Sequence, residues 1–475
     1  FLEARTNKFI VSPDQKLLIN LEVINRSKMN VVMSDVYATG IDSVLVFNEP
    51  LKYNQVLLKE LLITIPEKLS TPYWLSDTPT EGLYNVKNQE KRGLPSDPPP
   101  ILANVKFLIE GEPFTFEVPV SYRIIDPAEG EIYKPLSITP PVAIELDDQF
   151  LIFNKSQERV INMTLTAIQD SVSGFLNLKV PGPGWKISPE RIPFTLTNSG
   201  EAIATSCVIT APDNLSNTTL QPVIEIGDLK FHHRVETIDY DHLPYMSIVR
   251  DATVQLRSLD IKITKRPVAY IQGAGDDVAN GLRQIGFDVD EIDPTQISTL
   301  SLNKYQVVIL GVRAFNTIES LAYKNKILFD WVKAGGTLIV QYNVNRGLVT
   351  EEIAPFPITL SRDRITEENA PVTILAPDHP VFRFPNKIES TDFDGWTQER
   401  GLYFPNQWDA QFIPLLEMND SNENPTKGSL LIAPYGEGYY VYSGLSWFRH
   451  MPVGVPGAYR LLSNIIALGN KNSKS

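Results

Sequence analysis

The sequence predicts a multidomain chain: two β-sandwich domains, then one α/β domain with a mainly parallel sheet. Three observations carry this. The 475 residues exceed what one ordinary hydrophobic core organises, so two to four domains are expected. Up to about residue 245, apolar residues recur with a period of two between proline-rich turns, the pattern of half-buried strands. Beyond about residue 265, short apolar strands alternate with segments of helical period, the pattern of a parallel sheet covered by helices on both faces.

The first domain is placed at residues 1–128. Leu17, Ile19, Leu21 and Val23 alternate with polar neighbours, and similar runs lie at 105–109 and 114–122. The run Pro95-Ser96-Asp97-Pro98-Pro99-Pro100 reads as loop, because proline blocks helix. Pro72-Tyr73-Trp74-Leu75 reads as a core plug, with a carbohydrate-stacking surface as the alternative. The stretch from Asp126-Pro127 to Pro140-Pro141 reads as a linker.

The second domain is placed at residues 129–245. Ile161, Met163, Leu165 and Ala167 alternate, as do Leu176, Leu178 and Val180 before the Pro181–Trp185 turn. Cys207 is in phase with Ile203 and Ile209, which predicts a buried core thiol. The third domain is placed at residues 246–475. Its strands are expected at 268–271, 287–292, 307–310 and 337–340. Helices are expected from Val278 through Ile285 and over 319–333, a hairpin around Pro434–Gly438, and a last helix opened by Pro456-Gly457.

Bulk properties exclude several functions. The net charge of −13 opposes nonspecific nucleic-acid binding, which needs clustered Lys and Arg. The single cysteine, Cys207, excludes an intrachain disulfide and a thiolate metal cage. No apolar run approaches the roughly 18 residues of a membrane span.

Two motifs are weaker than they look. Gly273-x-Gly275 follows a strand, but Val278 stands where a dinucleotide fingerprint has its third glycine; a tight turn with Asp276 or Asp277 capping the helix fits better. Asp378-His379-Pro380 is one of few histidine contexts in a chain with five His. His232 and His233 are adjacent, so in a regular strand they point oppositely, and a zinc site is not expected.

More informative are polar groups at the ends of the predicted parallel strands, where α/β sheets place ligands. These are Asp276 and Asp277 after the first strand, Arg313 and Asn316 after the third, and Gln341, Tyr342 and Asn343 after the fourth. Arg362, Arg364, Trp396, Glu399, Arg400 and Arg449 lie in aromatic, glycine-rich loops further on. Planar Arg forks suit carboxylates or polyols, and aromatic rings suit sugar faces. The two readings are a ligand cleft and a salt-bridged network that fixes the loops. Cys, Ser and His are missing at the end of the 337–340 strand.

The segments 269–287 (AYIQGAGDDVANGLRQIGF), 308–316 (VILGVRAFN), 335–343 (GGTLIVQYN), 362–372 (RDRITEENAPV), 386–404 (NKIESTDFDGWTQERGLYF) and 454–462 (GVPGAYRLL) resemble the carboxyl-terminal region of long bacterial PIG-L (LmbE-like) deacetylases. Pro72-Tyr73-Trp74-Leu75 and the segment from Asp126 to Pro135 resemble their sandwich portion. The resemblance implies an Ig-like sandwich, a second sandwich of the type found with carbohydrate-active enzymes, and a flavodoxin-like domain similar to class I glutamine amidotransferases. In that family an upstream domain, marked by Ala-His-Pro-Asp-Asp-Glu, binds zinc and hydrolyses N-acetyl groups from sugars. That stretch does not occur in this sequence, so no cofactor is assigned to this chain and zinc is expected in an upstream domain. A working amidotransferase carries Gly-x-Cys-x-Gly after the strand corresponding to 337–341. Here the residues are Val340-Gln341-Tyr342-Asn343-Val344, so glutaminase activity is expected to be absent.

The expectation is therefore a non-catalytic accessory region, periplasmic or secreted, whose partners are a glycan or other polar small molecule and the upstream deacetylase domain. One alternative is a stand-alone carbohydrate-binding protein. Another is a glycoside hydrolase pairing Glu399 with Asp276 or Asp277, which needs carboxyl groups roughly 5–9.5 Å apart.

Overall fold

The computed structural model describes residues 1–40, 44–80, 82–154, 156–180, 182–214 and 216–469; Pro181 of the expected turn lies outside them. The chain is mostly β and is built from several sheets.

In the first body, eight strands form one sheet: seven lie on a single hydrogen-bonded path, and Gly130–Pro135 branches from it by pairing with Glu112–Asp126. The Lys16–Ile24 strand runs antiparallel to Val56–Thr64. Its period-two face is the core: Leu17, Ile19, Leu21 and Val23 are buried against Met33, Val105 and Phe107. Burying each such side chain contributes about 1.5–3 kcal/mol. The first boundary moves. Asp126 accepts from the Ala128 and Glu129 amides through Oδ1 at 2.7 and 3.0 Å, a side-chain-closed turn. Gly130–Pro135 therefore folds back onto Glu112–Asp126, and Ser137–Ile138 pairs with Ile10–Val11. The Asp126-Pro127 segment is a hairpin turn, and the passage to the second body comes at Pro140-Pro141.

The second body packs the sheet of Val142–Leu146, Glu158–Ala167, Ala202–Thr210 and Lys186–Ser188 over further short strands. Ile161 faces Cys207 across the ladder, and both enter one core with Met163, Leu165, Phe153 and Trp185. Burial pushes the Cys207 thiol up to about 11. The second boundary also moves. Met246–Asp251 pairs with His233–Ile238, and Val254–Ser258 pairs with Phe150–Phe153. Residues 246–258 thus belong to the second body, because Val254 and Leu256 fill its core.

The third body is a seven-stranded sheet. Val289–Glu291, Val268–Ile271, Val307–Leu310, Thr337–Gln341 and Gly438–Ser443 lie side by side in parallel. Leu430–Tyr435 and Ile413–Pro414 extend it antiparallel. Each central strand is buried on both faces. One face (Tyr270, Ile309, Ile339, Val441) packs on the Val278–Gln284 and Pro456–Ile466 helices. The other (Ala269, Val308, Leu338, Tyr440) packs on Leu321–Lys333. Pro456 opens its helix where a missing N–H is harmless. The buried Arg266 guanidinium closes that helix by donating to the Ile466 and Leu468 carbonyls. The third body meets the second through Gln284, whose Oε1 accepts from the Ile152 amide at 3.2 Å, and through Arg257, which donates to the Gly454 carbonyl at 3.2 Å.

Candidate functional site at the ends of the parallel strands

The loops after the first and third parallel strands touch closely. A Cβ on Gly273 would lie 2.1 Å from the Val312 carbonyl oxygen, so only glycine permits the approach. It lets Asp276 bridge the two loops. Its Oδ1 accepts from the Val278 amide at 3.0 Å and from the Tyr270 hydroxyl, and its Oδ2 accepts from the Val312 amide at 3.1 Å. Gly273 is thus a packing device, Gly275 serves the turn with φ +102°, and Asp276 is the helix-capping carboxylate. Tyr270 also accepts from Gln341 Nε2 at 2.7 Å. Burial, reinforced by Asp276, raises the Tyr270 hydroxyl well above the ordinary tyrosine range, so the phenol keeps its proton and donates it to Asp276. Gln341 Oε1 is buried with no partner among the described residues.

Arg313 sits at a sharp strand-to-helix turn with φ 59° and ψ 25°. Left-handed backbone is uncommon outside glycine. The turn is held from the neighbouring strand: the Arg313 amide donates to the Tyr342 carbonyl at 2.8 Å and the Phe315 amide to Asn343 Oδ1 at 2.8 Å. Asn316 Nδ2 donates to the Val344 and Arg346 carbonyls, each at 3.0 Å, and its Oδ1 accepts from the Val344 amide at 2.8 Å. Asn316 and Asn343 are therefore spent on fastening loops, whereas Gln341 engages only its amide nitrogen, on the Tyr270 hydroxyl. The left-handed turn lies one strand earlier than the position compared with the amidotransferase elbow, and an exposed Arg occupies it.

Around this turn lies a shelf of rings and charges. Tyr342 stacks on Tyr403 at 6.1 Å and 11°, and packs against Phe448 at 5.4 Å. Arg449 lies over the Phe448 ring at 4.8 Å, donates to Gln398, and pairs with Glu399 at 2.7 Å. Burial pushes the Tyr342 hydroxyl up, while Arg313 and Arg449 pull it down; both guanidiniums act on this one phenol. Gln398 and Tyr403 also have positive φ, 68° and 52°. Such backbone outliers gather at ligand clamps and switches. Tyr403, inside the 386–404 segment, and Phe448, next to Arg449, carry no charge that marks them in the sequence.

Other expected residues lie apart. Trp396 and Arg400 are 2% and 4% exposed. The Trp396 indole donates to the Asp392 carbonyl at 2.9 Å, and the Arg400 guanidinium donates to the Phe393 and Ala370 carbonyls. They are core groups, because burying an Arg requires carbonyl partners and here it finds them. Arg362 and Arg364 project to solvent from the Ile358–Ile365 strand. Asp277 makes no capping bond; burial raises its carboxyl, and its charge acts on Asp148 and Tyr459. Asp276 and Asp277 thus serve different loops, while Glu399 is held by Arg449.

Trp74 and Tyr73 plug no core. Half-buried and edge-to-face at 5.0 Å, they line an open cleft of about 910 Å³ with Tyr84, Asn85, Lys87 and Arg92. His232 and His233 do not point oppositely: their rings stack at 4.1 Å, and both reach Asp251.

No family model and no curated protein matches the chain. Among solved structures it is similar to Salmonella alpha-2-macroglobulin reacted with methylamine, with 10% identity over 60% of this chain and 20% of that one, TM-score 0.20. Native E. coli alpha-2-macroglobulin gives 8% identity over 54% and 16%, TM-score 0.19. A Porphyromonas gingivalis protein of unknown function gives 11% over 54% and 96%, TM-score 0.15. The match spans a fifth or less of these two macroglobulins. At these scores the likeness carries no argument.

Proposed function

We propose that this chain is a non-catalytic accessory region of a PIG-L-type zinc deacetylase, and that it grips a glycan at the strand ends of a flavodoxin-like, amidotransferase-like domain. The observation that carries this reading is Arg313. It occupies a sharp left-handed strand-to-helix turn, one strand before the position compared with the amidotransferase elbow, and presents a charged fork there. A guanidinium stays protonated and cannot attack a carbonyl, but its planar fork recognises carboxylates and vicinal hydroxyls. The Tyr342, Tyr403 and Phe448 rings beside it supply an apolar face for a pyranose. Titration calorimetry with N-acetylglucosamine oligomers and uronic-acid oligomers tests it. Binding is expected with at least one series, weakened tenfold or more by Arg313→Ala. Silence with the whole panel, or affinity unchanged in both Arg313→Ala and Arg449→Ala, refutes it.

A second reading, a stand-alone carbohydrate-binding protein, is favoured by the Trp74 cleft. Tyr84 is 63% exposed there, as in aromatic platforms for neutral sugars. If Trp74→Ala abolishes sugar binding and Arg313→Ala does not, this reading replaces the first.

A further inference from the structure

The chain crosses from the Leu229–Phe231 strand into His233–Ile238 through His232, which belongs to neither ladder. A regular strand would send the two imidazoles to opposite faces. The break turns both to one side, with ring centroids 4.1 Å apart and planes at 28°. Across the hairpin, Asp251 is the register partner of His233. Its Oδ1 lies 3.2 Å from His232 Nε2 and 3.8 Å from His233 Nε2.

We propose that His232, His233 and Asp251 form a zinc-binding site. All three donor atoms lie within 4.8 Å of one another. Zinc bound at about 2.0–2.1 Å to nitrogen and oxygen in a tetrahedron sets its donors roughly 3.3–3.4 Å apart. The His232–Asp251 pair is already near that spacing, and modest side-chain rotation closes the rest. Metal on Nε2 of His233 places the ring proton on Nδ1, so the long 3.4 Å contact from the His232 amide to that nitrogen is given up. Two imidazoles and one carboxylate match the donor preference of zinc and leave a fourth position for water. The side chains retain 36%, 18% and 58% exposure, which gives an ion a path in. Asp251 also borders a cleft of about 910 Å³ that carries Glu145, Asp147 and Glu236 against one cation, Arg234, and the excess negative charge concentrates cations locally.

The test is zinc titration of the full chain after chelator treatment, with X-ray absorption of the zinc-loaded protein. One equivalent is expected to bind at micromolar or tighter affinity, with two imidazole shells in the absorption spectrum. His233→Ala and Asp251→Asn are each expected to weaken binding tenfold or more. Absence of stoichiometric binding up to about 100 µM zinc, or unchanged affinity in the His232→Ala/His233→Ala double variant, overturns the site. Should that variant fail to fold, the spectrum of the unsubstituted protein decides: no imidazole shell means no such site.

Discussion

His450 gives the third body a pH dependence that can be calculated. The residue is fully buried, its ring 4.4 Å from that of Trp396, and Nδ1 accepts from the Thr397 amide at 3.3 Å. Burial, with the charges of Arg400 and Arg449 adding, pushes the imidazole down to about 3. In the unfolded chain a histidine titrates near 6.5. Below 6.5 the unfolded state therefore takes up a proton that the folded state refuses. Stability is intact above that pH, declines as pH falls, and stops declining only below about 3. Between pH 7 and 4.5 the decline spans roughly two units at about 1.36 kcal/mol each, or about 2.7 kcal/mol from this group. His450→Phe removes the titration. It leaves the Thr397 amide unpaired at a pH-independent cost of about 1–3 kcal/mol. Scanning calorimetry at pH 7 and 4.5 compares the two proteins, so that acid effects from other groups cancel in the difference. The variant is expected to be weaker at pH 7 yet to lose about 2.7 kcal/mol less on acidification. Parallel losses in the two proteins would refute the assignment of a neutral buried imidazole.

Two more outcomes follow from packing. Gly454→Ala should loosen the second body from the third, because a Cβ there would lie 1.8 Å from the Phe150 ring and the backbone is at φ +68°; a destabilisation of about 1–3 kcal/mol or more, read by faster proteolysis between residues 258 and 268, is the check. Cys207, buried with its thiol pushed up to about 11, should not react with a maleimide at pH 8 until denaturant opens the second body; prompt labelling of the native chain would contradict its place in that core.

The elements of the third body were legible because periodicity speaks plainly there. Val307–Leu310 is wholly buried as its unbroken apolar run predicts, and Pro456 opens the last helix. Cys207 was legible for the same reason: its phase with Ile209 put it on the core face. Boundaries were less so. Asp126-Pro127 has the composition of a linker, but the Asx turn it makes is a matter of two amide hydrogen bonds that composition does not reveal. Of the site residues, Arg313, Tyr342 and Arg449 come together because they follow neighbouring parallel strands, and Glu399 joins them through its ion pair with Arg449. Trp396 and Arg400 were misplaced because a charged residue in a glycine-rich loop reads as exposed, whereas two backbone carbonyls make its burial tolerable. Adjacency predicts opposite directions for His232 and His233 only where alternation runs through both, and His232 leaves the ladder.

The central claim, that the strand ends hold a sugar without transforming it, is met most directly by mass spectrometry of acetylated and uronic-acid oligosaccharides after prolonged incubation with the purified chain. The account predicts intact non-covalent complexes that Arg313→Ala weakens, and oligosaccharides recovered unchanged. Deacetylated or cleaved sugar, formed by this chain and lost on substituting Glu399, would contradict it.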